Sequence, residues 1–475
     1  MTPIWVESIK ATLGPERARL WYGDKFPDNG RTNFVERLRL DIYHSDQTAM
    51  PEMERPRPGN WENGEATDLR AWQKYYRVSS FTNQPEKKTP FYYPAKAFIN
   101  SFPVAPQPQS PAADVLLALS KYDPVIEELR RASQLPYSRF PLEYDKDDPA
   151  AILLPHLAAL KRSSQMLQLR AVAELQAGRS DQALADIKLN FRLMEAVRSE
   201  PFIISQLVRF AILQLTLQPV YEGLAEHRWS DAQLVELEGE LAKLDCLQDY
   251  AISIRCEPAA HIKLIDYMER DRGRGLRLLD ELDRFDLRED RLTFGTHVLF
   301  YLAPKGWFYQ NELRLAQLNQ QWNQPMVDAT KRVVVPQMAQ EHKAAEAKLE
   351  GTPYGFLAQT LLPWLGTYAQ KTALAQNAAD MARVALALER SRLAHGNYPE
   401  TLEGLAPQFI ATLPHDVIGG GPLKYRRTSD GRFVLYSIGW NEKDDGGVVV
   451  FDQGVRDVIG NFNRNEGDWD WQYPK

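Results

Sequence analysis

The sequence predicts a mainly α-helical protein: an antiparallel helical body with a small α+β module at its C-terminus. Three observations lead there. Apolar residues recur at helical spacing from about residue 114 to about residue 396, the pattern by which a helix buries one face. Prolines crowd the stretch before residue 112 and, by fixing φ and removing a donor, argue against long regular elements there. Strand-like alternation is concentrated after Leu423. The chain thus divides into an arm over 1–111, a helical domain over 112–365 and an α+β module over 366–475. At 475 residues it should split into two or three domains, because single cores stop growing near ~250 to 300 residues.

The arm holds words such as Lys87-Lys-Thr-Pro-Phe-Tyr-Tyr-Pro94 and Phe102-Pro-Val-Ala-Pro-Gln-Pro-Gln-Ser-Pro111. Its aromatic residues, Trp5, Trp21, Tyr22, Trp61, Trp72, Tyr75 and Tyr76, are too many for a solvated tail. We read an extended arm packed on the body, its aromatics serving as packing anchors rather than as platforms for sugar rings.

In the body, the segment 166–197 carries Leu167, Leu169, Ala171, Ala173 and Leu175, then Gly178-Arg-Ser, then Ala183, Ala185, Leu189 and Leu193. Gly178 at a C-cap and Ser180 at the next N-cap make this an antiparallel helical hairpin. Its small residues resemble a tetratricopeptide unit, but no neighbouring segment repeats the pattern, which favours ordinary helix packing. Ser230-Asp-Ala-Gln233 is a capping box opening the helix of Leu234, Leu237, Leu241 and Leu244. Charges of both signs between residues 269 and 291 read as a solvated linker or exposed helix face.

Composition narrows the function classes. Hydrophobic residues at 44% and charged residues at 25% exclude global disorder. A formal net charge of -6 offers no broad positive field for a phosphate backbone, so nucleic acid is not an expected partner. The most apolar stretch, 202–221, contains Gln206, Arg209, Gln214 and Gln218 at helical spacing, and reads as a buried helix with a wet face rather than a membrane span. The first ten residues have no apolar block and do not read as a signal peptide. Cys246 and Cys256, ten residues apart on one helix, stand about 15 Å from each other, too far for a disulfide.

No common catalytic signature stands in a usable context. Glu257 and His261, at i and i+4 with Asp266 nearby, form a conceivable metal or acid/base pair, which chance supplies in a chain this helical. Gly419-Gly-Gly421 precedes strand-like Pro422-Leu-Lys-Tyr, a turn rather than a phosphate cradle.

The C-terminal module opens with a helix over 377–395 carrying Met381, Val384, Ala385 and Leu388. Gly396 stops it and Pro399 opens a short second helix. Strands 423–428 and 432–437 flank Ser429-Asp430-Gly431, a hairpin turn signal. This order of elements, with the words "HGNYPETLEGL", "LPHD" and "YSIGWNEKDDGG", resembles the globular head of the type II secretion major pseudopilin over about 370–475. From about residue 110 to the end, the chain also resembles helical proteins of planctomycete and verrucomicrobial bacteria, "EPFIISQLVRFAILQLTLQPVYEGLAEHRWSDAQL" among the similar stretches. One departure matters. A pseudopilin starts with a prepilin-peptidase site and a polymerising hydrophobic helix, and residues 1–48 look like neither; the chain is not expected to be a pilin subunit itself.

The resemblance implies a calcium site in the loop after the hairpin. Carried over residue by residue, its side-chain ligands are Asn441, Asp444, Asp445 and Asp468, with main-chain carbonyls near Ile438 and Lys443; calcium takes six to eight such oxygens. Asn441 stands where the family has Asp, and Glu442 where it has Gly, which lowers charge and turn flexibility. An ordinary acidic turn is the competing reading. The resemblance further implies a non-enzymatic binding or scaffold protein of the bacterial cell envelope with a protein partner. The alternatives are a cytosolic helical adaptor and an enzyme acting on polysaccharide.

Overall fold

The computed structural model describes residues 40, 42, 55–78, 102–140, 142, 144, 148–152, 154–285, 294–348, 352, 354–361, 363–452 and 462–471. It is mainly helical, with small antiparallel sheets toward the C-terminus.

The arm holds the first departure from expectation. Asp68 accepts the backbone N–H groups of Arg70 and Ala71 at 2.9 and 3.1 Å and so opens helix α1 (Leu69–Val78). Trp72, Tyr75 and Tyr76, at i, i+3 and i+4, are all buried, and this apolar stripe outweighs prolines that lie outside it. The Tyr76 hydroxyl donates to the Ile42 carbonyl at 3.0 Å, and its ring meets Phe102 at 4.8 Å. Trp5, Trp21 and Tyr22 lie outside the described residues.

The body begins with α2 (Pro111–Leu119), α3 (Asp123–Ser133), α4 (Pro155–Gln176), α5 (Ser180–Glu195), α6 (Ile203–Ala225) and α7 (Asp231–Leu241). Helices α4 and α5 are the expected hairpin. Gly178 takes φ 74° and the Arg179 N–H reaches back to the Glu174 carbonyl at 2.8 Å, a C-terminal closure that only a left-handed residue allows without strain. Ser180 is not the N-cap: it is the first helical residue, and its hydroxyl accepts instead from Gln233 at 3.0 Å. Ser230 and Gln233 do form the capping box.

Helix α6 corrects a second expectation. It is the one helix among the described residues long and apolar enough to cross a membrane, and 67% of its most apolar 18 residues are buried. Its polar residues Gln206, Arg209 and Gln218 are not a wet face but lie 1–2% exposed. Arg209 binds Asp249 at 2.7 Å, Glu195 at 3.1 Å and Gln206 at 2.6 Å. Gln218 accepts the Trp61 N–H at 2.6 Å and donates to the Glu65 carbonyl at 2.9 Å. Paired in this way, polar groups can be buried without the penalty of a lost partner.

Then follow α8 (Cys246–Arg270), α9 (Arg272–Phe285), α10 (Phe294–Leu302), α11 (Lys305–Leu318), a two-residue ribbon of β1 (Val327–Asp328) and β2 (Val333–Val334), α12 (Pro336–Ala347), α13 (Phe356–Leu361) and α14 (Pro363–His395). Both cysteines are free thiols on α8. The charge-rich stretch is helical up to Phe285, and Glu269 within it is buried against Lys305 at 3.2 Å rather than solvated; residues 286–293 lie outside the described set.

Helix α14 ties the body to the module. Ala375, Ala378, Ala379, Ala382, Ala385 and Ala387 are all buried, and such small side chains let neighbours approach from every side. The body helices α6, α7 and α8 lie against it, as do strands β4 (Phe433–Ser437) and β7 (Trp469–Trp471). Strand β3 (Lys424–Arg427) pairs antiparallel with β4, and β4 with β7; β5 (Val449–Phe451) pairs with β6 (Phe462–Gly467). Pro399 is followed not by an α-helix but by a 3-10 turn, Leu402–Leu405. Trp471 meets Trp61 of the arm at 5.1 Å and Tyr221 of α6 at 5.8 Å. Among the described residues, buried apolar side chains from Leu40 to Trp471 form one continuous cluster.

Candidate functional site

The loop singled out by the resemblance leaves β4 at Ser437 and returns beneath the β6–β7 junction. Gly439 takes φ 69° and passes so close to the Gly467 carbonyl that a Cβ would clash with it; Gly467, at φ 74°, meets Val448 in the same way. These crossings bring Asp468 under the loop. Its Oδ1 accepts the Asp445 N–H at 3.3 Å and its Oδ2 the Gly447 N–H at 2.6 Å, while its own N–H donates to the Val448 carbonyl at 2.9 Å. Asn441 donates to Asp445 at 3.1 Å and accepts the Lys443 N–H at 3.1 Å.

Asp444 turns elsewhere. It accepts the Tyr436 hydroxyl at 3.0 Å and pairs with Lys424 at 3.2 Å. The Tyr436 bond holds its carboxyl below the usual range, whereas burial pushes Asp468 up. Tyr436 itself is pushed up to about 12 by burial and by Asp444. The loop therefore connects Asn441, Asp445 and Asp468 through hydrogen bonds and commits Asp444 to a lysine. Among the described residues no three acidic, histidine or cysteine groups gather as a metal set. As arranged, Asp444 is engaged by Lys424 and Asp468 by two backbone N–H groups, groups that a calcium ion, which takes six to eight oxygens, would share or displace. Calcium here rests on the resemblance alone.

Glu442 takes φ 58° at the position where the pseudopilin pattern has glycine, a left-handed conformation that costs a non-glycine residue roughly 1 kcal/mol.

The polar centre of the module was legible only as the word "LPHD". Asp416, 2% exposed, accepts from Asn377 of α14 at 2.9 Å, from the Ser437 hydroxyl at 2.8 Å, and from the Ile418 and Ile438 N–H groups at 2.9 and 3.0 Å. Asn377 in turn accepts the Val417 N–H at 3.1 Å. One carboxylate thus fastens α14, the loop after the Leu402–Leu405 turn and the end of β4. A buried aspartate after a proline, with an asparagine on the preceding helix, was the available signal.

Several other titratable groups have structural partners. Glu257 stands 3.7 Å from His261, but its second oxygen caps α6 through the Ile203 N–H at 3.0 Å. Burial pushes His261 down to about 4, and Asp266 pairs instead with Arg270 at 3.0 Å. Ser205, Glu200 and His156 are buried together, yet the serine donates to the glutamate at 2.5 Å and the glutamate, not the serine, meets His156 at 2.7 Å. The imidazole is thus not placed to take the proton of the serine hydroxyl, as a Ser–His pair requires. Gly419 and Gly420, at φ 73° and 70°, form the expected turn. A cleft of about 960 Å³ between α3, α5 and α7 contains Glu236 on Lys188 at 2.8 Å and Glu240 on Lys243 at 2.8 Å, so these carboxylates are compensated rather than poised.

No family model, no curated protein and no solved structure matches the chain.

Proposed function

We propose that the protein is a non-enzymatic binding or scaffold protein of the bacterial cell envelope, with a pseudopilin-like head. The observation that carries the non-enzymatic part is the use made of its buried acids. Asp186 is held by Arg130 at 2.6 Å, Asp249 by Arg209 at 2.7 Å, Asp380 by Arg332 at 3.2 Å and Glu389 by Arg392 at 2.7 Å, and Asp416 by the four donors described above. All but the Glu389–Arg392 pair, which lies within α14, tie one element of the fold to another, which is what a rigid scaffold requires. The shared core of head and body supports a head that is a fixed part of the scaffold, not a tethered module. Envelope placement is supported by the pseudopilin resemblance.

Fractionation of the native cell, followed by immunodetection, tests the placement. Recovery with envelope fractions is the expected result, and recovery entirely in the soluble cytosolic fraction would favour the adaptor reading. Hydrolysis of any member of a polysaccharide panel by the purified chain, lost on substitution of a cleft carboxylate such as Glu236, would overturn the non-enzymatic reading.

A further inference from the structure

Helix α11 presents two unlike surfaces on one stripe. Trp307, Asn311 and Arg314 lie at i, i+4 and i+7, so they share a face and span about 10 Å along the axis. At the Trp307 end is an apolar chamber of about 410 Å³ lined by Leu299, Phe300, Trp307, Phe308, Phe356 and Leu357. At the Arg314 end is a recess of about 330 Å³ lined by Arg314, Gln317, Gln321 and Lys348. The two meet at Thr352, which lines both, and at the Trp307–Tyr354 ring contact of 6.0 Å.

The chamber asks nothing polar of an occupant through Asn311, whose amide is already spent. It accepts the Leu357 and Ala358 N–H groups at 2.8 and 3.1 Å and donates to the Trp307 carbonyl at 2.8 Å. The chamber is open on an apolar side, where its lining residue Leu299 is 61% exposed. The recess has the opposite character: two cations and no acidic side chain line it. Arg314 makes only a 3.3 Å bond to Gln317, and Arg314 and Lys348, both exposed, have no ion-pair partner among the described residues, so both cations are open to an anion. Apolar volume of this size with a few polar groups at one end is the usual form of a small-molecule site.

We propose that chamber and recess bind a single-chain anionic amphiphile, its hydrocarbon tail in the chamber and its carboxylate or phosphate head between Arg314 and Lys348. This goes beyond the scaffold role and does not depend on it. Calorimetric titration of the full chain with octanoate, decanoate, dodecanoate, dodecyl phosphate and dodecanol, each below its micellar concentration, tests it. Saturable binding is expected, tightening about fourfold per added methylene as apolar area is buried. Whichever of dodecanoate and dodecyl phosphate binds tighter identifies the head, and dodecanol should bind at least about tenfold more weakly for want of a charge-assisted pair. Combining Arg314→Glu with Lys348→Glu should bring the anionic ligands to the dodecanol level without changing dodecanol. Leu299→Asp, on an exposed side chain, should weaken all of them while circular dichroism stays unchanged. The proposal is overturned if no ligand saturates, if dodecanol binds as well as dodecanoate, or if binding is unaltered in the double variant. It is likewise overturned if only phosphatidylglycerol vesicles bind, since the face would then be a membrane contact.

Discussion

Removing the Asp416 carboxylate should loosen the module from α14. In Asp416→Ala, the Asn377 amide keeps a partner in the Ser437 hydroxyl at 2.9 Å, and that hydroxyl can rotate. The Ile418 and Ile438 N–H groups, however, lose the acceptors they hold at 2.9 and 3.0 Å. Each stranded buried donor costs about 1–3 kcal/mol. Part of this is returned, because the carboxylate itself is held under strain of desolvation, burial pushing its pKa up against all four of its hydrogen bonds. A net loss of about 3 kcal/mol is expected. Asp416→Asn keeps an acceptor for three of the four donors but turns an amide N–H₂ toward the Ile438 N–H, and should cost about 1–2 kcal/mol. Urea unfolding followed by tryptophan emission gives the magnitude, and amide hydrogen exchange gives the location: protection should fall first over 433–438. If Asp416→Ala costs less than about 1 kcal/mol, or if exchange accelerates equally in α4 and α5, the carboxylate is not what fastens the module.

Four further outcomes are expected. Melting should be the same in calcium and in chelator, because Asp468 is already satisfied by the Asp445 and Gly447 N–H groups; a chelator-induced drop that disappears in Asp468→Asn would establish a calcium site instead. Burial pushes Asp186 up to about 6 against the pull of Arg170 and Arg130, above its unfolded value of ~3.9. Its contribution to stability is therefore fully present below the unfolded value and lost as pH rises through about 6. Relative to Asp186→Asn, the wild type should gain up to about 3 kcal/mol between pH ~7 and ~4, and a difference that stays flat with pH would refute the shift. Thiol titration of the native chain should label exposed Cys256 quickly, and buried Cys246, its thiol pushed up to about 12 by burial, only on unfolding; absence of any thiol after denaturation would mean a disulfide. Glu442→Gly should stabilise by about 1 kcal/mol, because glycine takes φ 58° without the Cβ penalty, and a destabilised variant would show that the Glu442 side chain contributes more than its strained backbone costs.

The sequence alone determined what depends on neighbours along the chain. Helical period and its caps placed the hairpin at Gly178 and the box at Ser230, and the Ser429-Asp430-Gly431 turn gave β3 and β4, where Gly431 has φ 81°. These are local: a dihedral preference or a reach of three or four residues suffices. Only the tertiary structure decided which polar residues go inside. Gln206, Arg209 and Gln218 have the spacing of a solvated face; Arg209 and Gln218 are buried because Asp249, Trp61 and Glu65, distant in sequence, come to meet them, while Gln206 donates to the Glu200 carbonyl six residues before it at 2.9 Å. Asp444, to which the pseudopilin resemblance gives a calcium-ligand role, has Lys424 as its ion-pair partner in the fold, a contact no local pattern announces. The same holds for α1, whose aromatic stripe is covered by α2 and Phe102, and for the continuous core, in which α14 is small-sided enough to be packed from both the body and the sheet. Hydrogen-bond and packing partners at long range carry no signature in a single sequence, since periodicity reports which face is apolar and not what will cover it.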